Sequence, residues 1–154
     1  MATDYAIDFR ERPECYRYTP DERGVFKVQP YKDDLLPLWR FRDEPAARAS
    51  ASALRARYDV YRAAEDFVGM DMARKYLQMG FTRSMRYAKY PGGRKREPDG
   101  TPRQPQTWAD PEKRAAALVF REAWKAVLDD PEYLRLKAAH QERYAASECR
   151  PMED

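Results

Sequence analysis

Three times in this chain an aspartate precedes a stretch with proline in its first helical turn and glutamate close by: Asp43-Glu-Pro45, Asp110-Pro111-Glu112 and Asp130-Pro131-Glu132. Aspartate at an N-cap accepts a hydrogen bond from an otherwise orphaned backbone N–H. Proline fits the first turn, where its missing N–H costs nothing, and glutamate complements the positive end of the helix dipole. Apolar residues then follow at spacings of three or four, which commits each segment to an amphipathic helix. After the first start, Leu54, Tyr58, Tyr61, Ala64 and Val68 form one stripe in a helix that runs to about Asp66. After the second, Ala116, Val119, Phe120, Ala123 and Val127 recur with Trp124 beside them, and after the third, Tyr133, Leu136, His140 and Tyr144. The last two helices read as a hairpin packed on the N-terminal helices, supplying stability rather than chemistry.

The N-terminal part reads differently. Residues 5–9 are a strand candidate, Arg12-Pro-Glu-Cys-Tyr16 suggests one tight helical turn, and Pro20-Asp-Glu-Arg-Gly24 is turn chemistry. Val25-Phe-Lys-Val-Gln29, closed by Pro30, has the β-branched and aromatic content of a strand and is expected to pair with the first as a small antiparallel ribbon lying on the helices. Residues 31–42 hold Leu35-Leu36-Pro37-Leu38-Trp39-Arg40-Phe41-Arg42, too interrupted by proline for a long helix, and read as a connector anchored by Trp39 and Phe41. Arg40 and Arg42 alternate with those aromatics, so they either join a basic surface or pair with Asp43 or Glu44. The expected fold class is mainly α (α+β): a helical bundle of about five helices with a small N-terminal antiparallel β element, in one domain of 154 residues. Its parts are the ribbon and connector (1–42), a basic helical region (43–90), a Gly/Pro-rich basic loop (91–109) and the C-terminal helical hairpin (110–147).

Charge is distributed unevenly. Residues 72–96 hold eight Lys or Arg and no Asp or Glu, against a net charge of only +3 for the chain. The rest therefore carries 21 basic and 26 acidic residues, a net of −5. Cations without counter-charges, interleaved with Tyr76, Phe81, Tyr87 and Tyr90, are the signature of an anionic partner, most commonly nucleic acid, and equally of a plain solvated face. Gly69 interrupts the periodicity, and Met79-Gly80-Phe81 resembles a helix end with Thr82 capping a further short helix over 83–90. Two short helices about a glycine turn suggest a helix-turn-helix. In this reading Arg74, Lys75, Arg83, Arg86 and Lys89 contact phosphates from the helices, and Tyr87 and Tyr90 stack on exposed bases. Gly92 and Gly93 let backbone amides approach a phosphate, and Arg94, Lys95 and Arg96 add charge; the same loop also reads as a flexible basic linker.

Several classes find no support. The loop lacks the GxxxxGK[ST] spacing of a Walker motif, no GxSxG occurs, and a single histidine, His140, excludes HExxH. His140 sits on an apolar stripe and reads as a core residue. Asp66 and Asp71, with Glu65, are the nearest approach to a magnesium site, and capping or pairing with Arg62 or Arg74 explains them more simply. No cofactor is indicated. Cys15 and Cys149 have no CxxC spacing, which speaks against zinc or a disulfide framework and fits a reducing cytosol, with a single end-to-end disulfide left open. No apolar run reaches membrane length and no signal peptide is evident, so a cytoplasmic protein is expected.

Phe67-Val-Gly-Met-Asp-Met-Ala-Arg-Lys-Tyr-Leu-Gln-Met-Gly-Phe-Thr-Arg83, Arg86-Tyr-Ala88, Gly92-Gly-Arg-Lys95, Gln29-Pro-Tyr-Lys32 and Leu38-Trp-Arg-Phe41 together resemble a family of small proteins of unknown function from bacteria, phages and fungi. The resemblance runs from Tyr5 to about Tyr144 and implies no established activity, so it transfers no site residues. The family carries Asn-His where this chain has Lys89-Tyr90. If that histidine does chemistry elsewhere, this chain lacks it. The expected function is nucleic-acid binding, DNA favoured; a module docking an acidic protein and a magnesium-dependent nucleic-acid enzyme are the alternatives.

Overall fold

The structure is a computed structural model that describes residues 5–105, 110–146 and 149. Among them are five α-helices: α1 (Tyr31–Leu35), α2 (Glu44–Ala63), α3 (Phe67–Lys89), α4 (Pro111–Leu128) and α5 (Pro131–Tyr144), with single 3-10 turns at Pro13–Cys15, Leu36–Leu38 and Pro91–Gly93. The three aspartate starts act as read. Asp43 accepts from Ala46 N–H at 2.9 Å, Asp110 from Lys113 N–H at 3.1 Å and Asp130 from Glu132 N–H at 3.0 Å. A fourth cap, Asp66, accepts from Gly69 N–H at 3.1 Å and opens α3.

Helix α3 is the centre of the molecule. Every residue from Phe67 to Gly80 is buried, with α2 and α4 packed against it. The sequence expectation of two short helices is corrected here: α3 is continuous through both glycines, and no helix-turn-helix forms. The glycines serve close approach instead. A Cβ at Gly69 would lie 2.5 Å from the Tyr61 ring of α2, and one at Gly80 would lie 2.4 Å from the Phe120 ring of α4. Glycine mid-helix costs roughly 1 kcal/mol in propensity, and the burial of Phe120 and Tyr61 against bare backbone offsets it. Five helices were expected and five occur, but their membership differs, since α1 replaces one half of the divided α3.

The antiparallel ribbon is absent among the described residues. Only a parallel bridge joins Asp8 to Gln29, with Phe9 N–H donating to Gln29 O at 2.9 Å. Residues 24–28 instead form a helical turn, Val28 N–H donating to Gly24 O at 2.9 Å. The reason is geometric. Val25 and Val28 are both buried while Phe26 is 45% exposed, a spacing of three that a turn satisfies and a strand cannot. Cys15 and Cys149 are joined in a disulfide with Cα atoms 4.7 Å apart. This corrects the reduced-thiol expectation, because a lack of CxxC spacing bears on metal frameworks and not on two chain ends that folding brings together. No helix among the described residues is long and apolar enough to cross a membrane.

Candidate nucleic-acid interface

The eight cations of residues 72–96 divide into two groups. Arg74 and Lys75 lie on the buried half of α3, each 1% exposed. Arg74 Nε and Nη2 donate to Asp71 Oδ1 at 2.9 and 2.8 Å, and Nη1 donates to Gln78 Oε1 at 2.7 Å. Its remaining donors reach the backbone carbonyls of Thr19, Pro20 and Asp21. Asp71 is fully buried and accepts also from Tyr133 OH at 2.7 Å and from Tyr16 OH. Lys75 Nζ donates to Thr19 Oγ1 at 3.0 Å and Arg23 O at 2.7 Å and lies over the Tyr16 ring. Burial pushes the Lys75 ammonium down to about 8, against the opposing pull of Asp71. These two side chains pin the N-terminal segment to α3, so their assignment to phosphates is withdrawn: every donor of Arg74 is already engaged inside the protein.

The other six, Arg83, Arg86, Lys89, Arg94, Lys95 and Arg96, are exposed. Among the described residues none of them pairs with a carboxylate. Arg83, Arg86 and Tyr87 recur at three or four residues along the last turns of α3, and Tyr90 follows as its C-cap in extended conformation. Arg86 Nε donates to Gly93 O at 2.5 Å, and Arg96 Nη1 to Gly100 O at 3.0 Å, which ties the loop to the helix end and to itself. Lys95 Nζ lies 6.0 Å from the Tyr90 ring centre. Gly92 and Gly93 have positive φ, 65° and 71°. The Gly93 amide donates to Tyr90 O at 2.8 Å, so it closes the helix end instead of facing an anion.

Tyr87 belongs to a feature that sequence reasoning missed. It lines a groove of about 660 Å3 with Leu36, Pro37, Trp39, Phe41 and the cations Arg40, Arg42 and Lys113. Trp39 and Phe41 rings are 4.8 Å apart, and Phe41 and Tyr87 rings 6.1 Å. Lys113 Nζ donates to Phe41 O at 2.9 Å and lies 4.8 and 5.4 Å from the ring centres of Phe41 and Tyr87. Of the sequence alternatives for the connector arginines, pairing with Asp43 occurs for Arg42. Arg42 meets Asp43 at 3.6 Å while 90% exposed, and Arg40 donates to Trp39 O at 2.7 Å. The alternation Trp-Arg-Phe-Arg was the available signal. That Lys113 reaches this groove from α4 had none.

A larger cleft of about 820 Å3 lies between the N-terminal segment, α2 and α5. Three of its four arginines meet carboxylates: Arg10 and Arg57 reach Asp34, and Arg135 reaches Glu65, while Arg143 lies over the Tyr144 ring. It therefore offers no single-sign surface. His140 borders it, with Nε2 2.9 Å from Tyr16 O, so that nitrogen carries the proton as a donor, and burial pushes the imidazole pKa down. The carboxylates weighed for magnesium are likewise occupied. Asp66 accepts from Tyr31 OH on both oxygens, and no group of three metal-ligating residues occurs among the described residues.

Neither the curated proteins nor the solved structures contain a match to this chain. The family model described as a domain of unknown function, DUF4385, matches residues 2–143, and the chain belongs to that family.

Proposed function

We propose that this protein binds nucleic acid, DNA foremost, through phosphate contacts from the C-terminal half of α3 and the loop that follows it. One observation carries the reading: six exposed cations, Arg83, Arg86, Lys89, Arg94, Lys95 and Arg96, occupy a short stretch that holds no Asp or Glu, and none of them forms a salt bridge among the described residues. Arg86 and Lys89 also lie in the last turn of α3, where the negative end of the helix dipole favours them. That accounts for two cations and leaves four. Polyphosphate backbones release counterions to such a cluster and bind with steep salt dependence.

The test is a mobility shift with duplex and single-stranded DNA at physiological salt. The wild type retards DNA, and Arg83→Glu with Lys89→Glu abolishes retardation while the far-UV spectrum is unchanged. Arg74→Met is unsuited to this purpose because it disturbs the core. Absence of any shift overturns the reading and leaves an acidic protein as the partner of the same surface.

A further inference from the structure

The basic stretch explains attraction to phosphate but leaves the aromatic groove beside it without a role. Trp39, Phe41 and Tyr87 are each half-buried and line one groove. Its volume of about 660 Å3 falls within the roughly 300–1,000 Å3 of small-ligand sites. Tyr87 sits one helical turn from Arg83 and next to Arg86 along α3, which joins the groove to the proposed phosphate-binding segment through the helix, although neither arginine lines it. Its rim adds Arg40 and Arg42, both exposed. The rings are held from behind. A Cβ at Gly93 would lie 2.7 Å from Tyr87 Cε1, and Trp39 packs edge-on to the buried Tyr76.

Resting on the nucleic-acid reading above, we infer that this groove takes an unpaired nucleobase, so that the protein prefers single-stranded to fully paired nucleic acid. The chemistry is complementary on both counts. A base offers a flat π-face to Trp39 and carbonyl acceptors to Lys113 Nζ, which already lies over the rings of Phe41 and Tyr87, while its phosphodiester follows the cations at Arg40 and Arg42. A base inside a duplex is stacked on its neighbours and cannot enter. An acidic peptide satisfies the cations but leaves the aromatic walls unused.

Fluorescence anisotropy with a labelled pyrimidine-rich single strand, and with the blunt duplex of the same sequence, tests this at one salt concentration. The single strand binds more tightly than the duplex. Tyr87→Leu and, separately, Phe41→Leu weaken single-strand binding by about 5- to 150-fold and leave duplex binding within about twofold. Thermal melts of both variants confirm folding, and Arg42→Gln, at a fully exposed position, provides a second arm in which both affinities fall together. In a Trp108→Phe, Trp124→Phe background the remaining Trp39 fluorescence is quenched by the single strand and not by heparin, a polyanion without bases. Equal affinity for single strand and duplex, unaltered in ratio by Tyr87→Leu, overturns this inference while sparing the phosphate reading. No binding to either removes both.

Discussion

Replacing Asp71 with asparagine tests whether Arg74 belongs to the interior. Asp71 is fully buried and receives four donors: Arg74 Nε at 2.9 Å, Arg74 Nη2 at 2.8 Å, Tyr133 OH at 2.7 Å and Tyr16 OH. Asparagine keeps the shape, removes the charge and turns one acceptor into a donor. One tyrosine hydroxyl then faces an N–H, and the Arg74 guanidinium stays buried without a counter-ion. Removing one partner of a buried ion pair costs about 3–5 kcal/mol. Whole domains are stable by about 5–15 kcal/mol, so a large fraction is lost. For a domain of this size 1 kcal/mol moves Tm by roughly 2–4 °C, giving an expected drop of about 6–20 °C. Urea unfolding followed by circular dichroism and tryptophan fluorescence measures it. The double variant Asp71→Asn, Arg74→Met should lose less than the sum of the single losses, with a coupling of about 0.5–3 kcal/mol. Stability within about 1 kcal/mol of wild type for Asp71→Asn would refute the argument, since a solvated Arg74 would not need its partner.

Three further outcomes follow from the packing. Burial alone would raise the Asp130 carboxyl, but hydrogen bonds from Arg62, Tyr58 and the Glu132 amide outweigh it and hold it down to about 2. A depressed folded pKa stabilises above the unfolded value near 3.9 and is lost as pH falls toward the folded one. The stability gap between wild type and Asp130→Asn is therefore steady above about pH 5 and shrinks between about pH 4 and 2, and a gap independent of pH contradicts this. Gly80→Ala should cost about 1–3 kcal/mol by driving a methyl into the Phe120 ring, and adding Phe120→Leu should recover part of the loss; a harmless Gly80→Ala means that α3 and α4 are not in close contact there. The denatured, unreduced protein should titrate no free thiol, because Cys15 and Cys149 are bonded; two reactive thiols would contradict the pairing.

Much of the helical frame was legible because its signals are local. The caps at Asp43, Asp110 and Asp130 and the stripes through Leu54, Phe120 and Tyr133 depend on neighbours within a few residues. What the sequence concealed depends on tertiary contact. Gly69 and Gly80 look like breaks by propensity and are instead places where Tyr61 and Phe120 press on a backbone, which overrides it. Val25 and Val28 look β-branched enough for a strand, yet burial at a spacing of three selects a turn. Arg74 and Lys75 count as surface charge in any composition argument, and nothing within their own segment shows that three carbonyls from residues 19–21 are aimed at Arg74. The basic stretch was thus wrongly enumerated, since two of its eight cations, Arg74 and Lys75, are buried. Its exposed part starts at Arg83 and includes a groove whose other wall lies more than forty residues away in sequence.

The salt dependence of DNA binding tests the account at its root. With five or six of the exposed cations engaged, log K against log salt on duplex DNA should fall with a slope of about −4.5 to −5.5. Substituting Arg83, Lys89 and Arg94 together by glutamine should reduce its magnitude by about 3, at roughly 0.9 per lost contact. A wild-type slope near zero, or one that the triple substitution leaves unchanged, would show that these side chains do not meet phosphate.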